Sequence, residues 1–202
     1  MKGKIISTAL DLFAQYGIKR VSMDDIACSA GISKRTLYEY FADKEDLLVE
    51  GLKYAHRQLA EHLHQIEKGD YTALDIFILI YAEIMKNPRW YSLKFYEDLK
   101  KYPRAQEEVE TGKNSYIKKC IYLFDRGVKE GVFRKEVNFE IVALLFEEQA
   151  QMLQPSKTFC RYSNREVYDT VLTIFLHGIS TGKGRQILDS WEMKNKMIYT
   201  KA

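Results

Sequence analysis

Lys34, Arg35, Thr36, Tyr38 and Tyr40 crowd into seven residues, and each side chain donates hydrogen bonds. Leu37 and Phe41 stand among them at i, i+4 spacing, which gives a helix one buried face and leaves the donors on the others. Two cations in the first turn of a helix oppose its macrodipole, so an isolated helix gains nothing from them there. They make sense where a polyanion approaches, because the free N–H groups of a helix start also favour phosphate. The first residues of a helix laid in the major groove of DNA are the ones that reach base edges. A short basic pair is more often a solvated turn, so the surrounding elements decide between the two readings.

Those elements are legible from Ser22 to Lys44, SMDDIACSAGISKRTLYEYFADK. Ser22 is an N-cap, and Asp25 three residues on completes a capping-box pattern. Asp24 and Asp25 place negative charge at the positive end of the helix dipole. Met23, Ile26, Ala27 and Ala30 form an apolar side, and Cys28 reads as a small core residue. Gly31 suits the left-handed conformation that ends a helix, and Ile32 seals the turn. Ser33 caps the basic helix, and Asp43 caps the next one, with Glu45 and Asp46 in its first turn. Helix, glycine turn, hydroxyl cap and basic first turn together favour a nucleic-acid reader.

Residues 5 to 52 resemble the N-terminal DNA-binding domain of the TetR/AcrR family of bacterial transcriptional regulators. The resemblance rests on a first helix ending LFAQYG, the helix MDDIACSAG, the turn GIS and the signature LYEYFADKEDLL, in that order and spacing. Tyr40 stands where that family commonly has His. The resemblance implies phosphate contacts from Ser22, Tyr38, Tyr40 and Lys44. It implies base readout from Lys34, Arg35 and Thr36 on the helix opened by Ser33.

The rest of the 202-residue chain bounds this reading. The net charge is +3, but residues 1 to 50 carry seven Lys/Arg against eight Asp/Glu. Positive charge must therefore be presented locally, at Lys19, Arg20, Lys34, Arg35 and Lys44, which argues against a non-specific nucleic-acid coat. No apolar run approaches the roughly 20 residues of a membrane span. The N-terminus reads as an amphipathic helix with Ile6, Ala9, Leu10 and Phe13 on one side, not as a signal peptide. Cys28, Cys120 and Cys160 form no metal or CxxC spacing and favour a reducing, cytoplasmic setting.

After Lys44 the pattern is helix after helix, with no alternating strand pattern. Predicted segments are Glu45 to Ile66, Tyr71 to Met85, Trp90 to Tyr102, Glu107 to Lys129, Phe139 to Leu153 capped by Asn138, and Arg165 to Ser180 capped by Asn164. Gly182 and Gly184 follow the last of these, ahead of a short helix and a frayed tail. The expected fold is all-α: a helix-turn-helix domain over 1–45 and a helical regulatory and dimerisation domain over 46–202.

The last two long helices carry more apolar surface than one neighbour would bury, at Ile141, Leu145, Val171, Ile174 and Phe175. The family resemblance implies that this pair builds a four-helix bundle with its twin, and hence a homodimer. Tyr81, Trp90, Phe95, Tyr96, Tyr116 and Phe124, with acids among them, are candidate lining for a small-molecule pocket. The resemblance places that pocket between the helices of 71–129.

No nucleophile elbow, P-loop, GxGxxG or HExxH occurs. His56, His62 and His64 lack metal-ligand spacing and read as surface or satisfied histidines. No catalytic residue, metal or cofactor is expected. The function expected is a ligand-responsive repressor that binds a palindromic DNA operator as a homodimer and is released by a small molecule. The alternative is a helical carrier or enzyme for small hydrophobic molecules.

Overall fold

The computed structural model describes residues 1–86, 93–152, 159 and 161–199. Its helices are α1 (Lys2–Tyr16), α2 (Met23–Ala30), α3 (Lys34–Tyr40), α4 (Lys44–Glu67), α5 (Ala73–Lys86), α6 (Leu93–Leu99), α7 (Pro103–Lys129), α8 (Phe139–Met152), α9 (Asn164–Ile179) and α10 (Gly182–Tyr199). Among the described residues the only β pairing is an isolated bridge between Phe133 and Ser180. The chain divides into two compact units, Met1–His64 with Ile84–Tyr116, and Gln65–Glu83 with Ile117–Ala202.

The first unit is organised by the stripe Ile5, Ile6, Ala9, Leu10 and Phe13 on α1. It packs against Met23, Ile26, Ala27 and Ala30 of α2, then Leu37, Phe41, Leu47, Leu48 and Leu52. Each large apolar side chain sealed here is worth about 1.5–3 kcal/mol of transfer free energy, which fixes the short helices α2 and α3 that propensity alone would not hold. Phe95, Leu99 and Ala105 complete the same core. Thus α6 and the start of α7 are built onto the N-terminal helices. Cys28 corrects the sequence reading: it is exposed, because the inward side of α2 is already taken by Ile26, Ala27 and Ala30.

The second unit centres on an aromatic stack. Phe124 lies between Phe77 and Phe139 with ring centroids 4.7 Å from each. Phe133 meets Phe77 and Phe124 edge-on at 6.0 and 5.6 Å. The chain turns into this stack at Gly131, φ 73°. There Val132 N–H donates to Gly127 O at 2.9 Å and Gly131 N–H to Val128 O at 3.0 Å, the paired bonds of a Schellman motif.

Among the boundaries that differ from the sequence expectation, three have a clear local reason. α7 starts at Pro103, ahead of Glu107, since proline at the first helical position gives up no internal hydrogen bond. α9 is capped by Ser163, not Asn164: the Ser163 Oγ accepts from Glu166 N–H and Glu166 reaches back to Ser163 N–H. Gly182 and Gly184 open α10 and do not trail the last helix, and a Cβ at Gly184 would sit 2.3 Å from Val132 O. Asn138 does cap α8, accepting from Glu140 N–H at 3.1 Å.

Candidate nucleic-acid interface

The site begins at the cap of α2. Ser22 Oγ accepts from Asp25 N–H at 3.1 Å and donates to Asp25 Oδ2 at 2.6 Å, while Ser22 N–H donates to the same oxygen at 2.8 Å. These bonds hold the Asp25 carboxyl below its ordinary range. At the other end Gly31 turns left-handed, φ 71°, with Gly31 N–H on Cys28 O at 3.1 Å and Ile32 N–H on Ala27 O at 3.0 Å. Two residues later Ser33 Oγ accepts from Thr36 N–H at 3.0 Å and starts α3.

Leu37 pins α3 to the core with no exposed surface. With 3.6 residues per turn, Arg35 and Glu39 lie opposite Leu37, Thr36 and Tyr38 lie to its sides, and Lys34 and Tyr40 lie nearer its flanks. All but the half-buried Thr36 are exposed. The two cations already have acidic neighbours. Lys34 Nζ lies 2.8 Å from Asp24 Oδ1, across the turn on α2. Arg35 Nε lies 3.4 Å from Glu39 Oε1, one helical turn on. Asp24 raises the pKa of Lys34, chiefly through this hydrogen bond.

Two of the expected phosphate contacts have structural employment. The one hydroxyl proton of Ser22 is committed to Asp25. Lys44 donates to Ile18 O and Val21 O, both at 2.9 Å, and its ammonium lies 5.9 Å from the Tyr102 ring centroid. Burial pushes the Lys44 pKa down, against an opposing pull from Asp98. Lys44 therefore clamps the loop between α1 and α2. Tyr38 and Tyr40 present exposed hydroxyl-bearing rings.

Sequence reading missed the frame around this head. Asp98 accepts from Lys19 N–H at 2.7 Å. Arg104 bonds Asp43 at 3.0 Å, and its backbone N–H donates to Glu45 at 2.8 Å. The partners are dozens of residues apart, so no local pattern marks them. Arg35 and Glu39, four apart on a helix, carried a signal that could have been read.

The remaining candidates fall in different places. Phe95 and Tyr96 pack edge to face at 5.4 Å in the first unit, with Phe95 in its core, and Tyr116 of that unit is exposed. Phe124 is sealed in the second unit's stack, where Tyr81 donates to Asp169 at 2.6 Å. Trp90 lies outside the described residues. Ile141, Leu145 and Ile174 are 55%, 43% and 66% exposed. Val171 and Phe175 are half-buried. His56 Nδ1 lies 3.1 Å from Glu108. Among the described residues no three His, Cys, Asp or Glu side chains gather as a metal site would require.

A capped pair of short helices joined at a left-handed glycine, the second with a polar outward face, defines a helix-turn-helix protein. Residues 5–50 match the family described as bacterial regulatory proteins, tetR family. The repressor KstR2 of Mycolicibacterium smegmatis is 26% identical over 91% of this chain and 92% of its own. A TetR-family regulator from Agrobacterium tumefaciens has the same fold at TM-score 0.75 and 14% identity, covering 89% of this chain and 97% of that one. The regulator FadR of Bacillus subtilis, solved with stearoyl-CoA, superposes at TM-score 0.65 and 19% identity over 89% of this chain and 100% of its own. The chain belongs to the TetR/AcrR family of bacterial transcriptional regulators.

Proposed function

We propose that this chain is a ligand-responsive repressor that binds a palindromic operator as a homodimer and leaves it when a small molecule binds. The observation that carries the reading is α3 itself: a capped helix pinned by Leu37, with Lys34, Arg35 and Tyr38 turned to solvent. Residues 1–45 are the reader, and 46–202 hold the effector and the dimer surface. Ile141, Leu144, Leu145 and Ile174 are exposed on α8 and α9, and an apolar face of this kind calls for a partner surface. A two-fold dimer sets two reading heads against major grooves about 34–36 Å apart. The candidate effector contacts fall in each unit separately, Tyr96 and Tyr116 in the first and Tyr81 in the second. KstR2 is a repressor, and FadR has been solved with an acyl-CoA, which favours a lipophilic effector. An effector that prefers the mismatched state by about 1–3 kcal/mol lowers operator occupancy tenfold or more, and operator lowers effector affinity equally. Such a regulator works in the cytoplasm, where its DNA is.

The test is selection of genomic fragments on the purified protein, followed by binding of the consensus with and without effector. Recovery of an inverted repeat bound by two protomers, and released by effector, is the expected result. Recovery of no enriched sequence removes the reading.

A further inference from the structure

The acids on the reading face have no part in a simple phosphate-binding surface. Asp24 lies 2.8 Å from the Lys34 ammonium, and Glu39 lies 3.4 Å from the Arg35 guanidinium. Asp24 and Glu39 keep 62% and 59% of their side-chain surface, so both are open to an approaching ligand. Each cation at the start of α3 is thus matched by a carboxylate before DNA arrives. A bare phosphate offers such a pair little: what the cation gains, the neighbouring acid loses by repulsion. A base pair offers more when it presents acceptors and a donor side by side.

From this geometry we infer that Glu39 is a specificity-determining residue, and that Arg35 and Glu39 together read a G·C pair in the major groove. Guanine N7 and O6 accept from the Arg35 guanidinium, and the cytosine N4 amino group donates to the Glu39 carboxylate. The four-residue spacing puts the two side chains on one line of the helix surface, as adjoining bases require. An A·T pair in this place leaves the guanidinium facing the adenine amino group, a donor against a donor. Asp24 does the companion task for Lys34 from α2. It holds the ammonium toward α2 and lowers the return from unspecific phosphate contact. The head, with more acids than bases in its first fifty residues, is in this way a selector and not a general polyanion binder.

The inference rests on the DNA-binding reading above. It is tested by repeating the selection with Glu39→Gln and Asp24→Asn, both exposed and nearly isosteric changes, after their helix content and unfolding midpoints are matched to the unmodified protein. Glu39→Gln should bind random-sequence DNA several-fold more tightly and lose preference at one G·C pair in each half-site, by about fivefold or more. Asp24→Asn should tighten random-sequence binding and leave that G·C preference in place. An unmodified protein that selects a sequence, with Glu39→Gln selecting the same one at the same ratio, overturns the inference and leaves the repressor reading standing. An unmodified protein that selects nothing removes both.

Discussion

Replacing Lys44 by Met separates two roles that the same side chain could play. The ammonium donates at 2.9 Å to Ile18 O and 2.9 Å to Val21 O, in a loop whose Ile18 and Val21 side chains are buried. A hydrogen bond from a charged donor contributes about 1.5–3 kcal/mol. Lys44 is half-buried, so water reaches part of the vacated space and the two losses do not add in full. Met keeps the aliphatic stem and its packing, so the change isolates the ammonium. The expected destabilisation is about 2 kcal/mol, or a fall of about 1 M in the urea midpoint for an m-value near 2 kcal/mol/M. Operator binding should weaken with the same salt slope, because the loop under the head is loosened and no phosphate partner is removed. An unchanged urea midpoint, with a salt slope reduced by about one unit, refutes the clamp and makes Lys44 a phosphate neutraliser.

Asp25 offers a pH test. Its carboxyl is held low by Ser22, so its contribution is present above the unfolded value of about 3.9 and is lost as pH falls through the folded one. Asp25→Asn should therefore be less stable than the unmodified protein at pH 6, and the gap in melting temperature should close below about pH 4. Gly127→Ala would bring a Cβ to 2.2 Å from the Phe133 ring, inside the aromatic stack. Overpacking of this kind costs about 1–3 kcal/mol, readable as a lower denaturant midpoint. Ile174→Glu puts a charge on the most exposed apolar side chain of α9, 66% accessible. It should sediment as a folded monomer that no longer holds an inverted repeat, and a dimer of normal strength would show that α9 is not the interface.

Much of this protein was written locally. The capping box of Ser22 and Asp25, the glycine turn at 31 and the Ser33 cap each join residues no more than five apart. The short-range rules of helix starts and stops therefore reach them all. The sequence of α-helices and the polar outward face of α3 follow from the same periodicities. The boundaries at Pro103, Ser163 and Gly182 moved where the rules offered more than one start or stop: proline opens α7, the Ser163 box caps α9, and Gly184 sits close against Val132 O.

Tertiary structure decided which of those polar side chains are spoken for. Lys44 looked like any exposed cation beside a reading helix, until the loop at Ile18 to Val21 was folded beneath it. Lys34 met Asp24 only because the glycine turn brings α2 and α3 together. Asp98 and Arg104 fastened α6 and α7 to the N-terminal helices from 79 and 61 positions away. Phe95 and Phe124, alike in sequence as aromatic residues on amphipathic helices, went to the cores of different units. The physical reason is common to all of them. A cap or a helix face is set by atoms within a turn of the chain. A hydrogen bond to a carbonyl, or a place in a core, is set by whichever distant segment the burial of apolar surface carries to that point.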